Sequence, residues 1–190
     1  RSDGVRSMTF ARSLDYGMAG ESDIARWLRS RGAIVLPVYE KIISEGKGPQ
    51  LFLPESSLIA PDMLVFQTGR TFWIEAKHKT AFSWHRITER WVTGIDLRHY
   101  ADYCRVADVS DFPVWLLFLH EGGQAKDSPS DSPTGLWGSE LDSLRENENH
   151  RHRNGGRGGM VYWARECDGG PLRLIATLDD LRAARAPKAA

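Results

Sequence analysis

Between Ala60 and Lys77 the chain carries Asp62, Glu75 and Lys77 inside a run that is otherwise almost wholly apolar. Two carboxylates are hard oxygen ligands suited to Mg²⁺, and an ammonium beside them can orient or deprotonate a water and offset charge on a phosphate. That is the chemistry of phosphodiester hydrolysis, provided the three side chains meet. Met63 to Phe66 is uninterrupted apolar and residues 71–77 are rich in β-branched and aromatic side chains, so both read as strands around a turn at Thr68-Gly69-Arg70. A two-residue loop, Thr68-Gly69 or Gly69-Arg70, with glycine supplying positive φ, pairs even positions of the first strand with odd positions of the second. Asp62, Glu75 and Lys77 then share one face, while Phe72, Ile74 and Ala76 take the other. With the first loop Asp62 lies directly opposite Glu75; with the second the two sit on a diagonal about 7–8 Å apart. Such a trio is costly to desolvate unless it is paired internally or by a cation. The same residues also fit a plain hairpin with a surface ion pair between Glu75 and Lys77 and a turn-capping Asp62.

Pro61-Asp62 followed, thirteen residues after the Asp, by Glu75-Ala76-Lys77 resembles the bipartite signature of the PD-(D/E)XK nuclease superfamily, which includes restriction endonucleases, archaeal Holliday-junction resolvases and lambda-exonuclease-like enzymes. The resemblance implies a restriction-endonuclease-like αβββαβ core, an α/β fold with a mixed central sheet flanked by helices. It also implies a Mg²⁺-dependent DNA endonuclease, structure-specific in resolvase-like members. Asp62, Glu75 and the Ala76 carbonyl would hold Mg²⁺, with Mn²⁺ able to substitute, and Lys77 would act on the water. Cutting both strands of a duplex or branched DNA commonly needs two sites, hence a homodimer. A non-catalytic nucleic-acid-binding module on the same fold is the alternative.

The elements around the hairpin decide what else reaches it. Residues 20–32 read as a helix with Ile24, Trp27, Leu28 and Arg31 on one stripe. Glu21 shares that stripe, where it is either a first-turn acid favoured by the helix dipole or a third carboxylate aimed at the hairpin. Superfamily members carry an acid on this helix, so Glu21 joins the candidate metal ligands. Residues 78–91 mix basic and aromatic side chains, and Lys79, Trp84, His85, Arg86 and Arg90 are candidate nucleic-acid contacts, unless the tryptophans simply anchor a loop. His78, one step beyond Lys77, is expected to point away. A helix over 96–108 places His99 and Tyr103 at i and i+4. Lambda-exonuclease-like relatives carry Gln-x-x-x-Tyr on this helix; His99 departs from it and Tyr103 matches, which leaves an exonuclease as a weaker reading.

The remaining expectations are a strand over 33–39, a surface loop over 41–57, a central strand over 113–119 and a short helix over 136–144. A flexible basic stretch over 150–159, an edge hairpin of 160–165 with 172–176, and a last helix over 178–185 capped by Thr177 complete the chain. The 190 residues fit a single nuclease-like domain over 8–190, with 1–7 an expression remnant or disordered start. Lys plus Arg equals Asp plus Glu at 25 each, so affinity for nucleic acid must come from a local patch. Cys104 and Cys167 form no metal-binding pair and read as reduced, buried fillers. No apolar run reaches the ~20 residues of a membrane span and no secretory pattern opens the sequence, so a cytoplasmic protein is expected.

Overall fold

A computed structural model describes residues 10–38, 49–153 and 158–185. Residues 1–7, the first part of the expected loop over 41–57 and the middle of the basic stretch lie outside them. The chain opens with helix α1 (Phe10–Ser30) and runs through β1 (Ile34–Pro37), β2 (Gln50–Phe52), β3 (Ser57–Ile59), β4 (Met63–Gln67) and β5 (Arg70–Lys79). After β6 (Ser83–His85) and β7 (Arg90–Asp96) come α2 (Leu97–Ser110) and β8 (Val114–His120). β9 (Gly123–Gln124), β10 (Asp131–Ser132), β11 (Gly135–Glu140) and α3 (Leu141–Glu146) follow, then β12 (His150–Arg153), β13 (Gly159–Ala164), β14 (Arg173–Ala176) and α4 (Leu178–Arg185).

The central sheet has six strands in the order β1-β4-β5-β8-β11-β14. Its β5–β8 pair is parallel and its other pairs are antiparallel, so the sheet is mixed and the fold class is α/β as expected. The turn between β4 and β5 takes the first of the two loops: Gln67 pairs with Arg70, Met63 with Ile74. Thr68 and Gly69 have φ of 42° and 75°, the doubly positive pair of a type I′ turn, whose twist matches that of the strands it joins. Continuing the register by one row puts Asp62 opposite Glu75.

Three layers result. On one face Ile24 and Leu28 of α1 and Leu181 of α4 pack on Met63, Val65, Ile74, Ala76, Leu117 and Leu119. On the other, Tyr103 and Val106 of α2 pack on Trp73, Leu116 and Phe118 together with Trp91 and Trp163 of a second sheet. β5 thus sends alternate side chains to opposite layers, with Glu75 and Lys77 on the α2 side. α2 is held at its start by the Asp96 carboxylate, which accepts from the Arg98 amide at 2.7 Å, and in its middle by Asp102, which accepts from the Ile59 amide at 3.2 Å. α4 begins with Thr177 and Asp180 capping each other and ends with Arg185 donating to both carboxylate oxygens of Asp23 on α1 through its Nε–Nη2 edge.

Several expectations are corrected. α1 starts at Phe10, so Glu21 sits mid-helix and the dipole reading of it fails. Gly20, read as the helix start, is instead a contact point: a Cβ there would lie 2.5 Å from His78 Cβ on β5. The segment after Lys77 is not a loop but the β6–β7 hairpin, which with β12 and β13 builds a second, four-stranded sheet in the order β12-β13-β7-β6. Part of the basic stretch is therefore strand. Residues 160–165 and 172–176 do not form an edge hairpin: β13 joins the second sheet and β14 the first, touching only through a single Arg165–Leu172 bridge. Alternation alone cannot say which sheet a strand joins. The first part of the helix expected over 136–144 is strand β11, seated between β8 and β14 because Leu136 and Trp137 bury against both layers. Leu51 and Phe52, placed in a loop by the sequence, pair with β3. Cys104 is half-buried and Cys167 exposed, and both are free thiols. No described helix is long and apolar enough to cross a membrane.

Candidate active site

β5 runs past the start of β4, and the notch this leaves is where Asp62, Glu75 and Lys77 gather. Asp62 is the residue before β4, and its Oδ2 accepts the Ala76 amide at 2.8 Å. A strand residue sends its N–H and C=O to the same side, so the Ala76 carbonyl also faces the Asp62 edge. Glu75 is 1% exposed, and its Oε1 is paired with Lys77 Nζ. Neither Glu75 oxygen makes a hydrogen bond of standard geometry. A buried carboxylate crowded by a second acid and met by one ammonium and a tyrosine hydroxyl is an arrangement that a hard cation can relieve.

The electrostatics follow from this crowding. Burial, then the charge of Glu75, pushes the Asp62 carboxyl well above the usual range, and Lys77 and the Ala76 amide only partly oppose this. Burial works against the Lys77 ammonium, but Glu75, Asp62 and Glu21 outweigh it and raise its pKa. Glu21, half-buried on α1, is raised by burial, eased by Lys77 and raised again by Glu75, so it belongs to the same field without touching the other acids.

Two α2 side chains complete the wall. Tyr103 is 2% exposed, and its hydroxyl lies beside Glu75; burial and that charge push its pKa well up. His99, one turn earlier, is pushed down by burial and then by Lys77. The His-x-x-x-Tyr spacing was the available signal for this pair, and the structure turns both toward the site.

The basic and aromatic candidates divide. Lys79 shares the face of Lys77, and burial followed by Lys77 lowers its pKa. Trp84 is half-buried, edge-on to Trp91 with centroids 5.2 Å apart, and packs against the core. His85 stacks on His150, Arg86 reaches Asp127 at 3.8 Å, and Arg90 lies against the turn at Gly169. These three sit on the second sheet, away from the acids. His78 points from the site as alternation requires and meets Glu121 at 3.1 Å.

No family model and no curated protein sequence matches the chain. Among solved structures it is similar to Hjc, a Holliday junction resolvase of Archaeoglobus fulgidus, with a TM-score of 0.47 and 9% identity over 82% of this chain and 94% of that one. No residue assignment rests on that loose likeness.

Among the described residues no three His, Cys, Asp or Glu side chains close into a metal cage. Mg²⁺ does not demand one, since it is commonly held by one or two carboxylates, with waters and substrate phosphate filling the rest of its sphere. Asp62, Glu75 and the Ala76 carbonyl supply a hard-oxygen donor set of that kind, and Glu21 stands behind it. The residues present therefore fit a hard divalent ion.

Proposed function

We propose that the chain is a divalent-metal-dependent nuclease that hydrolyses DNA phosphodiester bonds as an endonuclease. The observation that carries this reading is the convergence of Asp62, a buried Glu75 and Lys77 on one sheet face. Asp62, Glu75 and the Ala76 carbonyl would hold Mg²⁺ or Mn²⁺, with Glu21 as an outer acid. A bound ion there supplies an electrophile for the phosphate and lowers the pKa of a bound water. Lys77, held as an ammonium by its carboxylate neighbours, offsets the negative charge that builds on the phosphate and orients the attacking water. It is not the base. Lys79, next on the same face, would take a neighbouring phosphate, and paired cuts would need a second copy of the chain.

Plasmid, linear and branched DNA incubated with Mg²⁺ test the reading. Wild type is expected to cleave and Asp62→Ala to be inactive. Equal behaviour of the two proteins would overturn the enzyme and leave a non-catalytic nucleic-acid-binding module. A second reading, an exonuclease, is favoured by the Tyr103 hydroxyl beside Glu75; degradation confined to molecules with free ends would select it.

A further inference from the structure

The β6–β7 hairpin carries a feature that hydrolysis does not explain. Its four-residue tip, Arg86 to Glu89, lies beyond the last pair, His85 with Arg90. At the tip Ile87 is 89% exposed, more than any other large apolar side chain among the described residues. Beside it Arg86 projects with its side chain 76% exposed, held only by the distant contact to Asp127. An exposed ion pair at that separation contributes little and is readily exchanged for another anion.

The hairpin is braced from both faces. Trp84 and Trp91 lock its inner face into the core. On the outer face the His85 ring stacks on His150 at 4.0 Å and 12°, and His150 stacks on Tyr162 at 4.5 Å and 6°. Gly94 sits between these strands, where a Cβ would collide with Val161 O and the Tyr162 ring, so the bare backbone leaves room for the column. His85 Nδ1 and Thr88 Oγ1, 2.8 Å apart, tie the tip to its base. An exposed apolar side chain at the tip of a braced hairpin, next to a weakly paired guanidinium, is the equipment of a wedge that enters a base step while the arginine takes a flanking phosphate.

We propose that the β6–β7 tip is such a wedge: Ile87 inserts into the base stack of a nucleic acid at a bulge or branch and Arg86 holds the adjoining backbone. The proposal deepens the nuclease reading and rests on it, since it assigns the protein a substrate already open or easily kinked. Such sites cost least to unstack, which gives selectivity without base-edge contacts. Glu89, the acidic residue of the tip, disfavours simple electrostatic adhesion of this loop to an unbroken duplex.

The test uses the full chain carrying Asp62→Ala, so that DNA survives, with 2-aminopurine placed beside a bulge in a short duplex. Binding is expected to raise the 2-aminopurine fluorescence. Adding Ile87→Ser should abolish that rise and weaken binding to the bulged duplex about tenfold, the scale of one buried aliphatic side chain, while leaving the fully paired duplex unaffected. Val109→Ser, which removes another exposed apolar side chain from α2, is expected to change neither readout. Binding with the same fluorescence rise in both Ile87 forms overturns the wedge and spares the nuclease. Binding without any rise does likewise, and failure to bind DNA in any form overturns both.

Discussion

The Ala76 amide donates to the Asp62 carboxylate at 2.8 Å, so the first acid of the site is fastened to the backbone immediately beside the second. The distance between the acids is thus set by strand geometry rather than by side-chain rotamers alone. The charges so fixed repel one another, and Lys77 is what makes the arrangement tolerable in the absence of a cation.

Removing that ammonium exposes the cost. Lys77→Met leaves the 1%-exposed Glu75 without its counter-charge and is expected to lower the unfolding free energy by about 2 kcal/mol at pH 7. The loss falls below that of a fully buried pair because 31% of the Lys77 side chain remains in solvent. Glu75→Gln combined with Lys77→Met should recover most of it. Urea titrations of the double-mutant cycle measure the coupling, and simple additivity would contradict it.

Tyr103→Phe keeps the buried ring and deletes only the hydroxyl beside Glu75. Stability is expected to change by no more than about 1 kcal/mol, whereas the cleavage rate falls on the order of tenfold or more. Single-turnover rates against urea midpoints separate these effects. An unchanged rate would reduce Tyr103 to a filler.

Gly20→Ala brings a methyl group to within 2.5 Å of His78 Cβ, an atom that cannot swing aside. α1 must lift from β5, at a cost of roughly 1–3 kcal/mol. Glu21 moves with it, so metal-dependent cleavage should fall further than a surface Ala substitution elsewhere on α1 would cause. Thermal denaturation with a parallel cleavage assay checks both halves.

His120 gives the fold a sensitivity to acid. It is fully buried, stacked on Phe82 at 3.8 Å, and neither ring nitrogen has a hydrogen bond of standard geometry, the Ala81 backbone being its nearest polar neighbour. Burial, then Lys79, lowers its pKa to about 3. The folded value lies below the unfolded one, so the unfolded chain binds the proton and stability falls as pH drops below about 6.5. Between pH 7 and pH 5 this group alone should cost roughly 2 kcal/mol. His120→Phe is expected to remove that increment, seen as a shallower pH dependence of the urea midpoint; identical slopes would show that the ring is already protonated or relieved.

The hairpin was legible because its turn left few choices. Thr68-Gly69 fixes parity, and parity alone brings Asp62, Glu75 and Lys77 to one face. α2 and β8 were equally readable, one from its amphipathic spacing, the other from its unbroken apolar run. The second sheet was not. β6 and β12 are three and four residues long, and Ser83-Trp84-His85 and His150-Arg151-His152-Arg153 carry charge and aromatic rings where an alternating apolar pattern would announce a strand. Their pairing is settled by Trp91 and Trp163 in the shared core, a contact remote in sequence. The early start of α1 was hidden by Gly17 and Gly20, residues that argue against helix unless a neighbour demands a bare backbone. The charge state of Lys77 was hidden for a related reason: burial and counter-charges shift an amine in opposite directions, and only the positions of Glu75, Asp62 and Glu21 decide which prevails.

The grip of Arg185 on Asp23 gives the final helix authority over a site it never approaches. α4 clamps the outer side of α1, and α1 is the arm that carries Glu21. A lesion in α4 would therefore be felt first as a displaced Glu21, so that two helices far apart in sequence share custody of one acidic side chain.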